Sequence, residues 1–261
     1  MSYETLIFEK KDKIAYIIFN RPKVYNAIND QMILELMEVL ELIEKDGEIR
    51  ALILTGSEKT FISGGDIHDL EEATRNVYKF YLWHDKMMKL LLRFERLPIL
   101  VIAAVNGYAL GGGFEMITGC DIRVASEGAK LGAPEVKRGI MPGAGGAARL
   151  PRLIGAGRAL EMLLSGEPID AMEAYRIGLV NKVAPKGEAV RVAEELAKKI
   201  IENAPLAITQ IKNSVHIGMA MNVEGASEYC QKNAMILLAS DDAKEGMKSF
   251  LEKRAPVWQG K

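Results

Sequence analysis

Two glutamates stand apart from the other acids of this chain. Glu115 lies in Gly111-Gly112-Gly113-Phe114-Glu115-Met116-Ile117 and Glu135 in Leu131-Gly132-Ala133-Pro134-Glu135-Val136, among apolar or small residues, whereas most glutamates fall on charged helix faces. Burial disfavours the ionised carboxylate, and a partly buried pair has its pKa values pushed upward and apart, so that one group accepts a proton while the other donates one. The chemistry on offer is general acid–base catalysis. Taken singly, Glu115 reads equally well as a first-turn helix acid and Glu135 as a solvated loop residue.

Glycine loops are the second chemical feature. Ser63-Gly64-Gly65-Asp66 and Leu110-Gly111-Gly112-Gly113 each follow an apolar run. A glycine at a strand end lets a ligand approach the main chain, because no Cβ blocks it. If the loops at Gly65 and Gly112 converge, two backbone N–H groups can stabilise negative charge developing on a carbonyl oxygen, with Gly112 near a helix N-terminus whose dipole assists. Close packing of strands and turns explains any single glycine as well. Three in succession, however, lose much backbone entropy on folding and call for a compensating use.

Other chemistries lack their residues. There is no Gly-x-x-x-x-Gly-Lys-Ser/Thr, no Gly-x-Ser-x-Gly, and Gly155-Ala156-Gly157-Arg158-Ala159-Leu160 misses the third small residue of a dinucleotide fingerprint. Ser63 has no histidine nearby in sequence. His68, His84 and His216 are far apart, and Cys120 and Cys230 are neither a C-x-x-C pair nor a disulfide framework, so no metal is expected and a reducing, cytoplasmic setting fits best.

The elements that must position these residues follow from the apolar pattern. Ile14 to Phe19 reads as a buried strand stopped by Asn20-Arg21-Pro22, and a helix capped by Asp30 follows. A strand over 51–55 leads to the glycine-bearing loop at 61–67, and one long mixed helix is expected over 69–95. The strand Ile99 to Val105 is apolar on both faces, as for a strand covered on each side, and a helix-like segment runs from Phe114 to Gly119 behind its glycine loop. Ile122 to Ala125 is a fourth strand, leading to a third glycine cluster at Met141 to Gly146. The recurrence of strand and glycine loop predicts a layered α/β domain built from similar turns.

Past about residue 155 the pattern turns helical, with Asp170 and Glu173 as a capping box and Gly178 as a stop. Further helices are expected over 187–202, 205–217, 222–240 and 243–253. The division read from this is a core over 1–195 and a helical oligomerisation region over 196–261. Met219, Met221, Met235, Ile236, Leu237 and Leu238 are expected at subunit contacts.

Composition narrows the partners. Lys and Arg number 34 against 35 Asp and Glu, a formal charge of −1, which provides no excess positive field for nucleic acid or anionic lipid. The amino terminus has neither the charged start nor the apolar run of a signal peptide. The apolar run from Pro98 to Val105 is far shorter than the roughly 20 residues that cross a bilayer, so no membrane anchor is expected.

From about residue 4 to residue 258 the chain resembles the enoyl-CoA hydratase/isomerase family, also called the crotonase superfamily. The resemblance is carried by Asn20-Arg21-Pro22-Lys23 with Asn26-Ala27, by Phe61-Ile62-Ser63-Gly64-Gly65-Asp66-Ile67, by Ala103 to Glu115, by Pro134-Glu135 and by Pro142-Gly143-Ala144-Gly145-Gly146, in the family's order and spacing. It implies an α/β fold, a crotonase-like spiral of ββα units with a C-terminal helical region, and trimers that pair into hexamers. It implies oxyanion-hole amides on Gly65 and Gly112. Family members that hydrate a 2-enoyl-CoA carry glutamates at the positions of both Glu115 and Glu135, so retention of both favours a hydro-lyase of fatty acid metabolism that forms a 3-hydroxyacyl-CoA.

On this reading Glu115 is mainly the base that activates water and Glu135 delivers the proton, without a metal or redox cofactor. Coenzyme A, part of the substrate, is expected near Lys23 and the loop Gly65, Asp66, Ile67 and His68, with Phe250 and Lys253 supplied by a neighbouring subunit. Two departures bear on the acyl pocket: Ala133 stands where some short-chain hydratases have glutamine, and Gly65 replaces a common alanine. Met116, Leu131, Ile140 and Met141 are expected around the acyl group. The alternatives are a double-bond isomerase, a specialised hydratase of carnityl-like or cyclic dienoyl thioesters, or a CoA- or RNA-binding scaffold.

Overall fold

The computed structural model describes residues 3–261; Met1 and Ser2, with which the expected first unit and its amino-terminal reading begin, lie outside the described residues. β1 (Leu6–Lys11) and β2 (Ile14–Phe19) pair antiparallel. α1 (Asp30–Lys45) is capped one residue earlier than expected: Asn29 is extended, and its side chain accepts from the Met32 N–H at 3.0 Å, leaving Asp30 as a first-turn acid. β3 (Ala51–Thr55) and β4 (Thr60–Ile62) follow.

The single helix expected over 69–95 is two, α2 (Ile67–Arg75) and α3 (Val77–Arg96). Asn76, at φ −144° and ψ 86°, leaves the helical region, and its side chain accepts from the Lys79 N–H at 3.0 Å. It ends one helix and caps the next, a break to which apolar periodicity is blind. β5 (Leu100–Val105), β6 (Tyr108–Leu110), α4 (Gly112–Thr118), β7 (Ile122–Ser126) and β8 (Lys130–Gly132) come next. Then come α5 (Gly146–Ile154), α6 (Ala156–Ser165), β9 (Ile169–Asp170), α7 (Ala171–Arg176), β10 (Lys182–Ala184), α8 (Ala189–Ile201), α9 (Pro205–Gly218), α10 (Val223–Leu238) and α11 (Asp241–Leu251). Strands therefore continue beyond residue 155: β10 pairs in parallel with β7 because Val183 and Ala184 add to the sheet's apolar faces.

One sheet has the order β1-β2-β3-β5-β7-β10 and the other β4-β6-β8-β9. Successive strand pairs, β3 with β4, β5 with β6 and β7 with β8, each give one strand to each sheet, and the chain advances as the expected spiral. The larger sheet is covered on both faces. Leu52, Leu54, Val101, Ala103 and Val105 face the main core with α1, α3 and α4, while Ala51, Ile53, Leu100, Ile102 and Ala104 face α8, whose Ala189, Ala193 and Ala197 recur every fourth residue. The expected division at 195/196 falls inside α8.

α9 is fastened to the core by a buried cation. Lys212 donates to the carbonyls of Phe94 and Ile99, each at 2.9 Å, and pairs with Asp121 at 2.8 Å, whose other oxygen meets His216 Nε2 at 2.8 Å. Among the described residues no helix is long and apolar enough to cross a membrane.

Candidate active site

β4, β6 and β8 lie side by side and parallel, so the loops after them emerge together. These loops carry Gly64 and Gly65, Gly111 and Gly112, and Pro134 and Glu135. The sheet order thus gathers residues that are seventy positions apart in sequence, from Gly65 to Glu135.

The direction of the Gly65 amide follows from a single bridge. Ile28 donates to the Gly64 carbonyl at 2.8 Å, and its own carbonyl accepts from the Asp66 N–H at 2.8 Å. A parallel bridge of this kind leaves the N–H of its central residue, Gly65, facing away from Ile28. Gly112 is the first residue of α4, where an N–H has no intrahelical acceptor. Neither amide finds an acceptor among the described residues, and a Cβ built on Gly112 would lie 3.7 Å from the Gly65 nitrogen. The two loops therefore abut, each with a free donor. Gly113 serves packing instead: a Cβ there would lie 2.4 Å from the Ile62 carbonyl oxygen, so only glycine seats α4 this closely on β4.

Both glutamates face the same cleft, a cavity of about 440 Å³ that also holds Gly65 and Gly112. Glu115, in the first turn of α4, is 3% exposed, and its Oε1 accepts from the Gly146 N–H at 2.8 Å. Burial pushes its carboxyl up to about 7, against the Gly146 N–H, which favours the ionised form, and with the Glu135 charge adding to the rise. Glu135 sits in a 3-10 turn after β8, and burial raises its pKa too, against the opposing charge of Arg138. Its Oε2 is buried without a partner. Four buried side-chain atoms among the described residues lack partners, and three of them, on Glu135, Trp83 and His84, belong to residues lining this cleft. Unsatisfied groups are rare in folded proteins, and their gathering here marks the cleft as the place where structure yields to function.

Asp66, Ile67 and His68 also line the cleft. Asp66 is held rather than free: its side chain accepts from the His68 N–H at 3.2 Å and pairs with Arg21 at 3.2 Å. Arg21 also donates to the Ala27 carbonyl, and buried Asn26 donates to the carbonyls of Thr60 and Phe61 at 3.1 and 3.0 Å. The Asn20-Arg21-Pro22 segment thus clamps the Gly65 loop, a role its sequence alone does not reveal. Lys23 is exposed and outside the cleft lining, though its neighbour Val24 belongs to it. Phe250, near the end of α11, and Lys253, just beyond it, do not line the cleft of their own chain.

The acyl-pocket reading needs correction. Met116 and Leu131 are fully buried in the main core, because α4 and β8 turn those side chains away from the loops; Ile140 and Met141 do line the cleft. Leu70 of α2 and Phe80, Trp83 and His84 of α3 form a wall that the sequence reading did not find. The spacing of Phe80, Trp83 and His84, on one face of a helix following the glycine loop, is the signal that was there to use. A larger cavity, about 1020 Å³ between α3, α5 and α9, contains neither glutamate. Among the described residues no three His, Cys, Asp or Glu side chains are grouped to hold a metal ion.

The family model for enoyl-CoA hydratase/isomerase matches residues 9–261. The chain is 42% identical over 256 residues to a short-chain-enoyl-CoA hydratase of Clostridium acetobutylicum and 40% identical over 256 residues to a crotonyl-CoA hydratase of Syntrophomonas wolfei, covering 97% of each pair of chains. A crystal structure of enoyl-CoA hydratase from Bacillus anthracis superposes with a TM-score of 0.94 at 35% identity, over 99% of this chain and 100% of that one. With full-length matches in sequence and fold, this chain belongs to the enoyl-CoA hydratase/isomerase family.

Proposed function

We propose that this protein is an enoyl-CoA hydratase, adding water across the 2,3 double bond of a short enoyl-CoA thioester to give the 3-hydroxyacyl-CoA. One observation carries the reading: a buried and a half-buried carboxyl, both with raised pKa values, face the cleft into which two adjacent loops bring unpaired amides. The names of the two bacterial hydratases with which the chain shares at least 40% identity support hydration and a short acyl group.

In the mechanism that fits this geometry, the thioester oxygen accepts from the Gly65 and Gly112 N–H groups, which polarise the conjugated double bond. Glu115, whose pKa of about 7 leaves it partly ionised at neutral pH, takes a proton from water as the water oxygen bonds to C3. The π electrons move onto the thioester oxygen, where the two amides stabilise the enolate. Glu135, held towards its acid form by burial, gives its proton to C2 as the enolate collapses. The substrate gains H and OH, one proton has passed to Glu115 and one has left Glu135, and exchange with solvent restores both. No metal or redox cofactor enters these steps.

The coenzyme A portion is read as lying along Asp66, Ile67 and His68 towards Lys23, with Phe250 and Lys253 contributed by a neighbouring subunit. Trimers or paired trimers are supported by exposed apolar residues on the last helices and the turn between α9 and α10, including Met219 at 50%, Met235 at 67% and Leu238 at 70% exposure, and by the apolar cavity beside α9. Residues 196–261 are accordingly read as the oligomerisation region. Two unbridged cysteines fit work in the cytoplasm. The test is incubation with crotonyl-CoA, with product mass and free thiol both followed. A gain of one water without release of coenzyme A supports hydration; an unchanged mass with a shifted double bond favours the isomerase.

A further inference from the structure

Part of the cleft wall comes from α2 and α3, with Leu70 and Trp83 beside the Gly65 loop. Behind that wall lies a second cavity of about 340 Å³. Asp66, Leu70, Phe80 and Trp83 line both spaces and form the partition between them. Asp66 is fixed by Arg21, so the apolar part of the partition is Leu70, Phe80 and Trp83.

Trp83 is the member of that trio on α3 that approaches the amide loop. It lies in the middle of α3, with Met87 and Leu90 of the following turns fully buried, whereas Leu70 sits on the short α2 that ends at the Asn76 break. Its indole stands edge-on to His84, with ring centres 5.1 Å apart at 68°. The tip of the indole approaches the amide loop: Trp83 Cη2 lies 3.6 Å from the point a Cβ on Gly65 would occupy, and Leu70 Cδ1 3.3 Å from it. Glycine at this position gives Leu70 room against the loop that carries the free amide, and the indole lies at ordinary contact distance beside it. Beyond the partition the far cavity is lined by Ala73 and Leu82 and by six polar or charged residues, Lys79 and Lys86 among them.

We propose that Trp83 is a specificity-determining residue that limits acyl chain length, by separating the cleft from a second, partly apolar space into which a longer chain would extend. This rests on the reading of the cleft as an enoyl-CoA site. A chain that reaches the partition must either displace a packed indole or stay outside the cleft. Removing the indole joins the two spaces, and each methylene then accommodated is worth about fourfold in binding.

The experiment compares wild type, Trp83→Ala and Trp83→Phe on crotonyl-, hexenoyl-, octenoyl- and decenoyl-CoA, and measures binding of butyryl- and octanoyl-CoA by calorimetry. Wild type is expected to lose kcat/KM as the chain lengthens. Trp83→Ala is expected to raise the octenoyl-to-crotonyl ratio by at least about tenfold, because four methylenes at about fourfold each set a ceiling near 10²-fold. Trp83→Phe, the smaller change and the control against misfolding, is expected to fall between. Ratios in catalysis and binding that stay within about twofold of wild type in both folded variants would overturn the proposal. Length selection in binding that depends on Trp83, without hydration of any thioester, would retain the partition and remove the hydratase reading instead.

Discussion

Replacing Glu115 with glutamine preserves the side-chain shape and an oxygen to accept from the Gly146 N–H, but removes a titration. The carboxyl rises from 4.5 to about 7 on folding, chiefly through burial. Below the lower value both folded and unfolded chains carry the proton, and the group has no effect on stability. Between the two values the unfolded chain ionises while the folded chain still holds its proton, so native stability falls as pH rises; above the upper value the full cost remains. At about 1.4 kcal/mol per pH unit that cost is about 3 kcal/mol. Glu115→Gln escapes it. The variant is therefore expected to match wild type in thermal stability near pH 4 and to exceed it by several degrees near pH 8, at about 2–4 °C per kcal/mol for a domain of this size. Scanning calorimetry of both ligand-free proteins across that range reads the difference directly. In the same variant, loss of the base slows hydration by about 10²–10⁴-fold. A stability difference that is flat with pH, or that favours wild type at high pH, would refute the burial argument.

Glu135→Gln is expected to cost a similar factor in kcat, and the double variant little more than either single one, because the base and the acid serve one addition as a unit. Removing the Glu135 charge also lowers the Glu115 pKa, though burial keeps it raised, so the acid limb of the residual pH–rate profile moves to lower pH. Gly113→Ala drives a methyl into the Ile62 carbonyl and is expected to destabilise by about 3 kcal/mol or more, measured as a shifted denaturant midpoint. Lys212→Met leaves Asp121 without its buried cation and frees two carbonyls; a loss of about 3–5 kcal/mol and faster proteolysis around α9 are expected. Light scattering of the folded, active protein is expected to show a trimer or hexamer; a monomer at all concentrations would remove the neighbour's Phe250 and Lys253 from the site.

What the sequence made legible was local. The runs at 14–19, 51–55 and 100–105 are strands because their apolar content is continuous and bounded by turn residues, and the glycine loops are recognisable because glycine at a strand end has few uses. Glu115 and Glu135 stood out by their apolar neighbours, and the structure brings both to one cleft. The three short strands β4, β6 and β8 carry too few residues for a pattern, yet their pairing is what brings the loops together. Asn76 breaks a helix whose apolar period continues across it. Met116 and Leu131 were drawn towards the acyl group by sequence proximity, although side-chain direction on α4 and β8 sends both into the core. Trp83 approaches Gly65, and Lys212 reaches Asp121, only through tertiary packing, which a one-dimensional pattern does not encode.

The most direct test of hydration at this cleft is the reaction of crotonyl-CoA in heavy-oxygen water and, separately, in deuterium oxide. Hydratase chemistry predicts intact 3-hydroxybutyryl-CoA with heavy oxygen at C3 and one deuterium at C2, and both labels fall away together in Glu115→Gln and Glu135→Gln. Heavy oxygen in a free carboxylate with coenzyme A released, or deuterium incorporated without any oxygen, would contradict it.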